Sequence, residues 1–279
     1  MHYKRIIARL DIKGTDLVKG IHLEGLRVLG DPNFFAKEYY KDKVDELFYQ
    51  DVVASLYHRN SLLDIVNKTS KNIFIPLTVS GGLRSIDDMK KAFAAGADKI
   101  CINTAAVNNP NIINKAANIF GSSNVVVAIE NSFDKFKNKN LVYTNNGREI
   151  TNKETINWSL EVFKRGAGEI IITSIDKEGT RQGYQIDLIK KIKNKVSIPV
   201  IAHGGAGKID DIYNLFKLSN CDAACLSSIL HYSKYKKQKD LNHFSGNVEF
   251  AKNSNLSENI TIKKIKKFLN RKKIKIIDN

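Results

Sequence analysis

The strongest constraint on this chain is an internal repeat. GGLRSIDDMKKAF, starting at Gly81, and GGAGKIDDIYNLF, starting at Gly204, share six of thirteen positions at an offset of 123 residues. The same offset relates Pro76 to Pro199, Glu46 to Glu169 and Thr104 to Ser227. In a chain of 279 residues, a period this long divides the molecule into two similar halves. Each half alternates short apolar runs with longer amphipathic ones. The runs at 5–12, 46–52, 74–79, 99–103, 124–130, 169–174, 198–202 and 223–227 are rich in Ile, Val and Leu and apolar on both faces, as parallel strands covered by helices must be. Helical patterns at 87–95, 111–120, 155–165, 186–193 and 210–217 fall between them. Eight strand-helix units predict an α/β fold, a closed (β/α)8 barrel built from two half-barrels.

The barrel should occupy residues 1–232, with halves at about 1–122 and 123–232. Residues 233–279 add an insertion, 233–260, and a last helix at 260–269 that packs on the barrel. An apolar content of 42% is enough for one large core. Cys101, Cys221 and Cys225 are too few for a disulfide framework and lack a second pair at zinc-site spacing, so a reduced compartment and no metal are expected. Met1 to Arg9 contains no apolar leader core and no 18-residue apolar run occurs, so the chain is expected to be cytoplasmic with no membrane partner. Residues 231–279 carry 13 Lys/Arg against 4 Asp/Glu, more than half of the formal net charge of +16. Clusters such as Lys234, Lys236, Lys237 and Lys239, or Lys263, Lys264, Lys266 and Lys267, are read as a solvated helix face. Aromatic residues are not interleaved with them as stacking on nucleic acid requires, so no nucleic-acid partner is expected.

In such a barrel the chemistry lies at the carboxyl ends of the strands. Gly81-Gly82 and Gly204-Gly205 follow the third and seventh strands, each ahead of a helical segment whose N-terminus can help to cradle an anion. Asn103-Thr104 and Ser227-Ser228, at the ends of the fourth and eighth strands, add side-chain donors to the same two pockets. Two pockets on opposite sides of the mouth suit a long substrate with a phosphate at each end. Between them, Asp11 ends the first strand and Glu130 the fifth, an acid-base pair if their surroundings push their pKa values apart. Either carboxylate could instead cap a helix or pair with Lys19. At the opposite end, Arg5, Glu46, Lys99 and Glu169 sit at strand beginnings and read, from the residues alone, as a salt-bridged structural plug.

These residues carry a family resemblance. Arg5-Ile6-Ile7-Ala8 leading to Asp11, Val18-Lys19-Gly20, Gly30-Asp31-Pro32 and Asp98-Lys99 belong to it. So do Ile102-Asn103-Thr104-Ala105-Ala106, Gly166-Ala167-Gly168-Glu169-Ile170, Thr173-Ser174-Ile175-Asp176, Gly179-Thr180, Gly183-Tyr184 and Gly204-Gly205-Ala206-Gly207. From about Lys4 to Tyr232 the chain resembles the cyclase subunit of imidazole glycerol phosphate synthase, a histidine-biosynthesis barrel. The resemblance implies a lyase that takes ammonia from a partner glutaminase in a heterodimer and needs no cofactor. It would convert a bis-phosphorylated aminoimidazole carboxamide ribonucleotide derivative to imidazole glycerol phosphate and aminoimidazole carboxamide ribonucleotide. It also implies catalytic roles for Asp11 and Glu130, one phosphate site at Gly82, Asn103 and Thr104, and another at Gly205 and Ser228. Asp176 and Gly179 would lie near the substrate with Lys19, a mobile-loop lysine, and Arg5, Glu46, Lys99 and Glu169 would become an ammonia gate.

The chain departs from that pattern at several points. Glu130 stands where the family has aspartate, and the extra methylene should move the carboxylate by more than ~1 Å, a misplacement able to cost about 100-fold in rate. Ser80 replaces a glycine, Arg9 a smaller residue, Glu178 an aspartate and His203 a small residue. These changes suggest, as an alternative, a paralogous barrel with weak cyclase activity that delivers ammonia for amidination of a surface-polysaccharide sugar.

Overall fold

The computed structural model describes residues 3–54, 62–235 and 260–277. Among them twelve strands form one sheet: β1 (Arg5–Lys13), β2 (Asp16–Ile21), β3 (Glu24–Gly30), β4 (Glu46–Asp51), β5 (Leu77–Ser80), β6 (Lys99–Ile102), β7 (Val125–Asp134), β8 (Lys139–Thr144), β9 (Glu149–Glu154), β10 (Glu169–Ser174), β11 (Val200–His203) and β12 (Ala223–Leu226). Eight of them, in the order β1, β4, β5, β6, β7, β10, β11, β12, pair in parallel, and β12 pairs back onto β1. That ring is the closed (β/α)8 barrel. β1 and β7 face each other across it, and the β5/β6 side faces the β11/β12 side.

The helices are α1 (Pro32–Lys41), α2 (Leu62–Ser70), α3 (Ile86–Ala94), α4 (Thr104–Asn108), α5 (Asn111–Phe120), α6 (Thr155–Lys164), α7 (Ile186–Lys193), α8 (Ile209–Ser219), α9 (Ser228–Tyr235) and α10 (Ile262–Arg271). Their starts are encoded locally. Asp31 caps α1 with Pro32 in its first turn, and Ser85 and Asp88 form a reciprocal box at the start of α3. The strands separate two cores because successive side chains point to opposite faces. Ile6, Ala8, Leu10 and Ile12 pack outward with the helices. Ile7, Phe48, Cys101, Val126, Ala128, Ile171, Ile201, Ala223 and Cys225 fill the barrel itself.

The fold departs from several of these expectations. The third barrel strand starts at Leu77 rather than at residue 74, because Phe74 is 77% exposed and lies outside the sheet. The repeat slips by one residue in the eighth barrel strand. Ser80 pairs with Cys101 and His203 with Cys225, so Ser80 and His203 keep the offset of 123 while Thr104 corresponds to Ser228 and not to Ser227. The extra residue falls after β11, where α8 is two residues longer than its counterpart α3. Two hairpins, β2–β3 following β1 and β8–β9 following β7, extend the same strand of each half above the mouth. Asn145, Asn146 and Gly147 turn the second hairpin with positive φ, a signal legible in the sequence.

The last helix runs two residues later at both ends than expected, capped by Thr261. Its lysines are not all solvated. Ile262, Ile265 and Leu269 form the buried stripe, and Lys266 is buried with them, its Nζ 2.6 Å from Asp45 Oδ1. The other Asp45 oxygen accepts the Ile6 N–H at 2.7 Å, and Asp42 accepts the Ile262 N–H at 2.7 Å. Lys234, at the end of α9, is likewise buried, near Glu38 and Asp42. The central part of the expected insertion, including Lys236, Lys237 and Lys239, lies outside the described residues.

Removing one partner of a buried pair leaves the other charge uncompensated. Lys266→Ala should therefore lower stability by about 3 kcal/mol in urea unfolding. Under these contacts, the change should also loosen the junction of α10 with β1 and β4, seen as faster amide exchange at Ile6 and Ile262.

Candidate functional site

Every second residue of β1 points down the barrel axis: Arg5, Ile7, Arg9 and Asp11, with Asp11 at the mouth. Asp11 is 2% exposed. Its Oδ1 accepts from Arg9 Nε at 2.8 Å, and its Oδ2 is 3.4 Å from Lys19 Nζ. Lys19 belongs to β2 and is itself buried; it also makes an ion pair with Glu178, whose second oxygen accepts the Leu23 N–H at 3.1 Å. Thus Glu178 ties the β2–β3 hairpin down onto the mouth. Burial alone would raise the Asp11 pKa, but the charges of Arg9 and Lys19 outweigh it and hold the carboxyl well below the usual range.

Glu130 occupies the matching place on β7, also buried. Its Oε2 accepts the Gly147 N–H of the second hairpin at 2.9 Å. The longer side chain is therefore anchored by the hairpin turn that reaches over it. Burial pushes its pKa up to about 7, against the opposing pull of Arg9 and the Gly147 N–H. Asp11 raises it further. The two carboxyls thus differ as a proton donor and acceptor must: near neutral pH one is ionised and the other holds a proton on about half of the molecules. Arg9 stands between them in charge, with its guanidinium over the Phe48 ring at 5.7 Å and its Nη2 without a hydrogen-bond partner among the described residues.

The two expected anion cradles differ. The first, about 430 Å³, is lined by Gly81, Gly82, Asn103, Thr104 and Arg84 and reaches Glu130. A side chain at Gly81 would meet the Asp51 carbonyl oxygen at 2.3 Å, and φ there is +94°, so glycine alone fits. The second is lined by Gly179, Gly204, Gly205, Ser227, Ser228, Glu178 and His203, and has only about 10 Å³ of free volume. Just ahead of the helices after the glycine doublets, several N–H groups are already taken within the protein. Asp88 takes the Arg84 and Ser85 N–H groups, and Asp211 takes those of Gly207 and Lys208. The helix starts that reach the cradles are instead those of α4 and α9, at Thr104 and Ser228. Asp176 lines neither cradle; it is exposed, accepting from Ser132 Oγ at 2.5 Å and from the Phe133 N–H at 2.9 Å.

At the other end the charged residues form a closed ring. Arg5 Nη1 lies 2.9 Å from Glu46 and 3.1 Å from Glu169, and Lys99 Nζ lies 3.1 Å from each of the same two acids. Thr78 completes Glu46 at 2.7 Å. Sequence reasoning did not assign Thr78, Arg84, Asn146 or Gly147 to any of these places; of the four, only the Asn-Gly turn had a signal that could have pointed to it.

A family model described as histidine biosynthesis protein matches residues 5–236. Among curated proteins, the chain is 53% identical over 207 residues to imidazole glycerol phosphate synthase subunit HisF of Legionella pneumophila, covering 74% of this chain and 97% of that one. The proteins of the same name from Methanocaldococcus jannaschii and Petrotoga mobilis are 46% and 45% identical, covering 83% and 85% of this chain and 92% and 94% of theirs.

The raised Glu130 pKa has a thermodynamic consequence. From 4.5, the ordinary value, to about 7 the folded protein keeps a proton that the unfolded chain has lost, so stability falls as pH rises through this window. The fall attributable to this group is about 3 kcal/mol. Glu130→Gln should flatten that part of the profile, measured by urea unfolding at a series of pH values, while carboxyl carbon NMR should find the wild-type group titrating near 7.

Proposed function

This chain belongs to the histidine biosynthesis protein family, and we propose that it acts as the ammonia-dependent cyclase subunit of an imidazole glycerol phosphate synthase. Its substrate is then the bis-phosphorylated aminoimidazole carboxamide ribonucleotide derivative, and its products imidazole glycerol phosphate and aminoimidazole carboxamide ribonucleotide. The observation that carries this reading is the pair of carboxyls buried on opposed strands β1 and β7, in surroundings that push their pKa values in opposite directions, between two candidate anion cradles.

Ring formation with C–N cleavage needs a proton supplied to a departing group and another removed from the incoming nitrogen. Glu130 is the donor, because it alone of the two holds a proton near neutral pH. Asp11 is the acceptor and the counter-charge for the nitrogen as it becomes positive. A carboxylate held so low is a weak base, so its electrostatic part outweighs its part as a proton acceptor. The first cradle holds one phosphate through the N–H groups and side chains at Gly82, Asn103 and Thr104, and the second holds the other at Gly205, Ser227 and Ser228. Gly179 borders the second, and Lys19 neutralises charge at the mouth. Asp176 serves by bracing β7 against the loop after β10.

Ammonia from a glutaminase partner enters at the ring of Arg5, Glu46, Lys99 and Glu169. The apolar layer above that ring favours neutral ammonia over ammonium, since an ion gains nothing there to replace water. Arg9, above the apolar layer, adds a second barrier to cations and none to a neutral molecule.

Turnover of the bis-phosphorylated ribonucleotide with ammonium salt, followed by absorbance, tests the reading. Asp11→Asn should lose about 100-fold or more in kcat. The wild-type rate should show a limb near pH 7, absent in Glu130→Gln. A wild type without turnover, or activity that appears only in Glu130→Asp, would overturn the assignment.

A further inference from the structure

The half-barrel repeat places Ser80 and His203 at equivalent positions, each at the last residue of its strand and each beside an anion cradle. Ser80 is small and its hydroxyl turns back to the Cys101 carbonyl at 3.2 Å, leaving the first cradle open. His203 is large and fully engaged. Its Nδ1 lies 3.4 Å from Arg9 Nη1 and 3.3 Å from Thr173 Oγ1, and its Nε2 lies 3.2 Å from Ser227 Oγ. Because a guanidinium can only donate, Nδ1 is the acceptor and the proton sits on Nε2, facing Ser227. The ring is thus clamped from behind by Arg9 and pinned in front to a serine of the cradle. What remains, about 10 Å³, is room for roughly one water and not for a phosphate.

We propose that His203 is a specificity-determining residue of the second cradle: its imidazole occupies the place of a phosphate oxygen on Ser227. A phosphate must displace it to bind there. The chain therefore takes a phosphate monoester at the Gly82 and Thr104 end in preference to the Gly205 and Ser228 end. Glu178, also in the wall of the second cradle, is an acceptor that adds no pull on an anion, and it occupies the nearby Lys19 ammonium and Leu23 N–H. This inference rests on the assignment of both cradles to phosphate under the cyclase reading. It deepens that reading by making the two ends unequal.

Inorganic phosphate titrated into the full chain, with the backbone amides of Gly82 and Thr104 and those of Gly205 and Ser228 followed separately by NMR, reads each cradle without turnover. In the wild type the first cradle should bind at least about tenfold more tightly, the effect of displacing one or two buried hydrogen bonds at the second. His203→Ser should strengthen the second cradle by about tenfold and leave the first unchanged. His203→Asn, shorter but still able to meet Arg9, should move in the same direction and serves if the serine variant does not fold. Equal affinities in the wild type, or a second cradle unaltered in both variants, would overturn the role of His203 while leaving the cyclase assignment intact. Phosphate binding at neither cradle would overturn the two together.

Discussion

Side chains that alternate across a strand, on a sheet closed into a ring, are the constraint from which the rest of this protein follows. Four inward residues of β1 sample the whole axis: Arg5 in the lower charged ring, Ile7 in the apolar layer, Arg9 beneath the mouth and Asp11 in it. A shift of one residue in the pairing of β1 with β4 or β12 would exchange these with Ile6, Ala8, Leu10 and Ile12. The charged ring, the core and the mouth carboxyl would be lost together. That coupling explains how a chain with many surface lysines can still fix a handful of buried charges.

Those buried charges decide the chemistry of the mouth. Arg9 lies in the field of both carboxyls, yet its effects differ because the neighbours differ. Asp11 has Arg9 in direct contact and Lys19 beside it, and stays ionised. Among the described residues Glu130 has no such contact, only a backbone N–H and an amide, and burial prevails. The distinction depends on two hairpins that are themselves related by the repeat. Each reaches back over the strand of its own half and presents a donor to that strand's carboxyl, a lysine in one case and a peptide N–H in the other.

The duplication is therefore kept in the backbone and broken in the side chains. Strand order, glycine doublets, hairpins and the short helices at the cradles obey the two-fold relation. Arg9 and His203 do not: the position matching His203 is Ser80, and the cradle beside Ser80 is open while the one beside His203 is filled. A doubled scaffold with unequal ends can orient a long substrate, since reversing it would place each end in the wrong environment.

The local pattern of the chain was enough to determine the barrel, the placement of the carboxyls and glycine doublets on the upper rim, and the charged ring below. Each depends on spacing along a strand or on the residue at its end, which propensity and periodicity express directly. Nothing local could determine that Lys266 leaves the solvated face to meet Asp45, that Gly147 anchors the longer Glu130, or that His203 closes a cradle against Ser227. These contacts join residues far apart in sequence, and whether a charge is buried, paired or protonated depends on what the closed barrel brings against it. Residue types could nominate the acids, but only the enclosure around each could assign one the proton and deny it to the other.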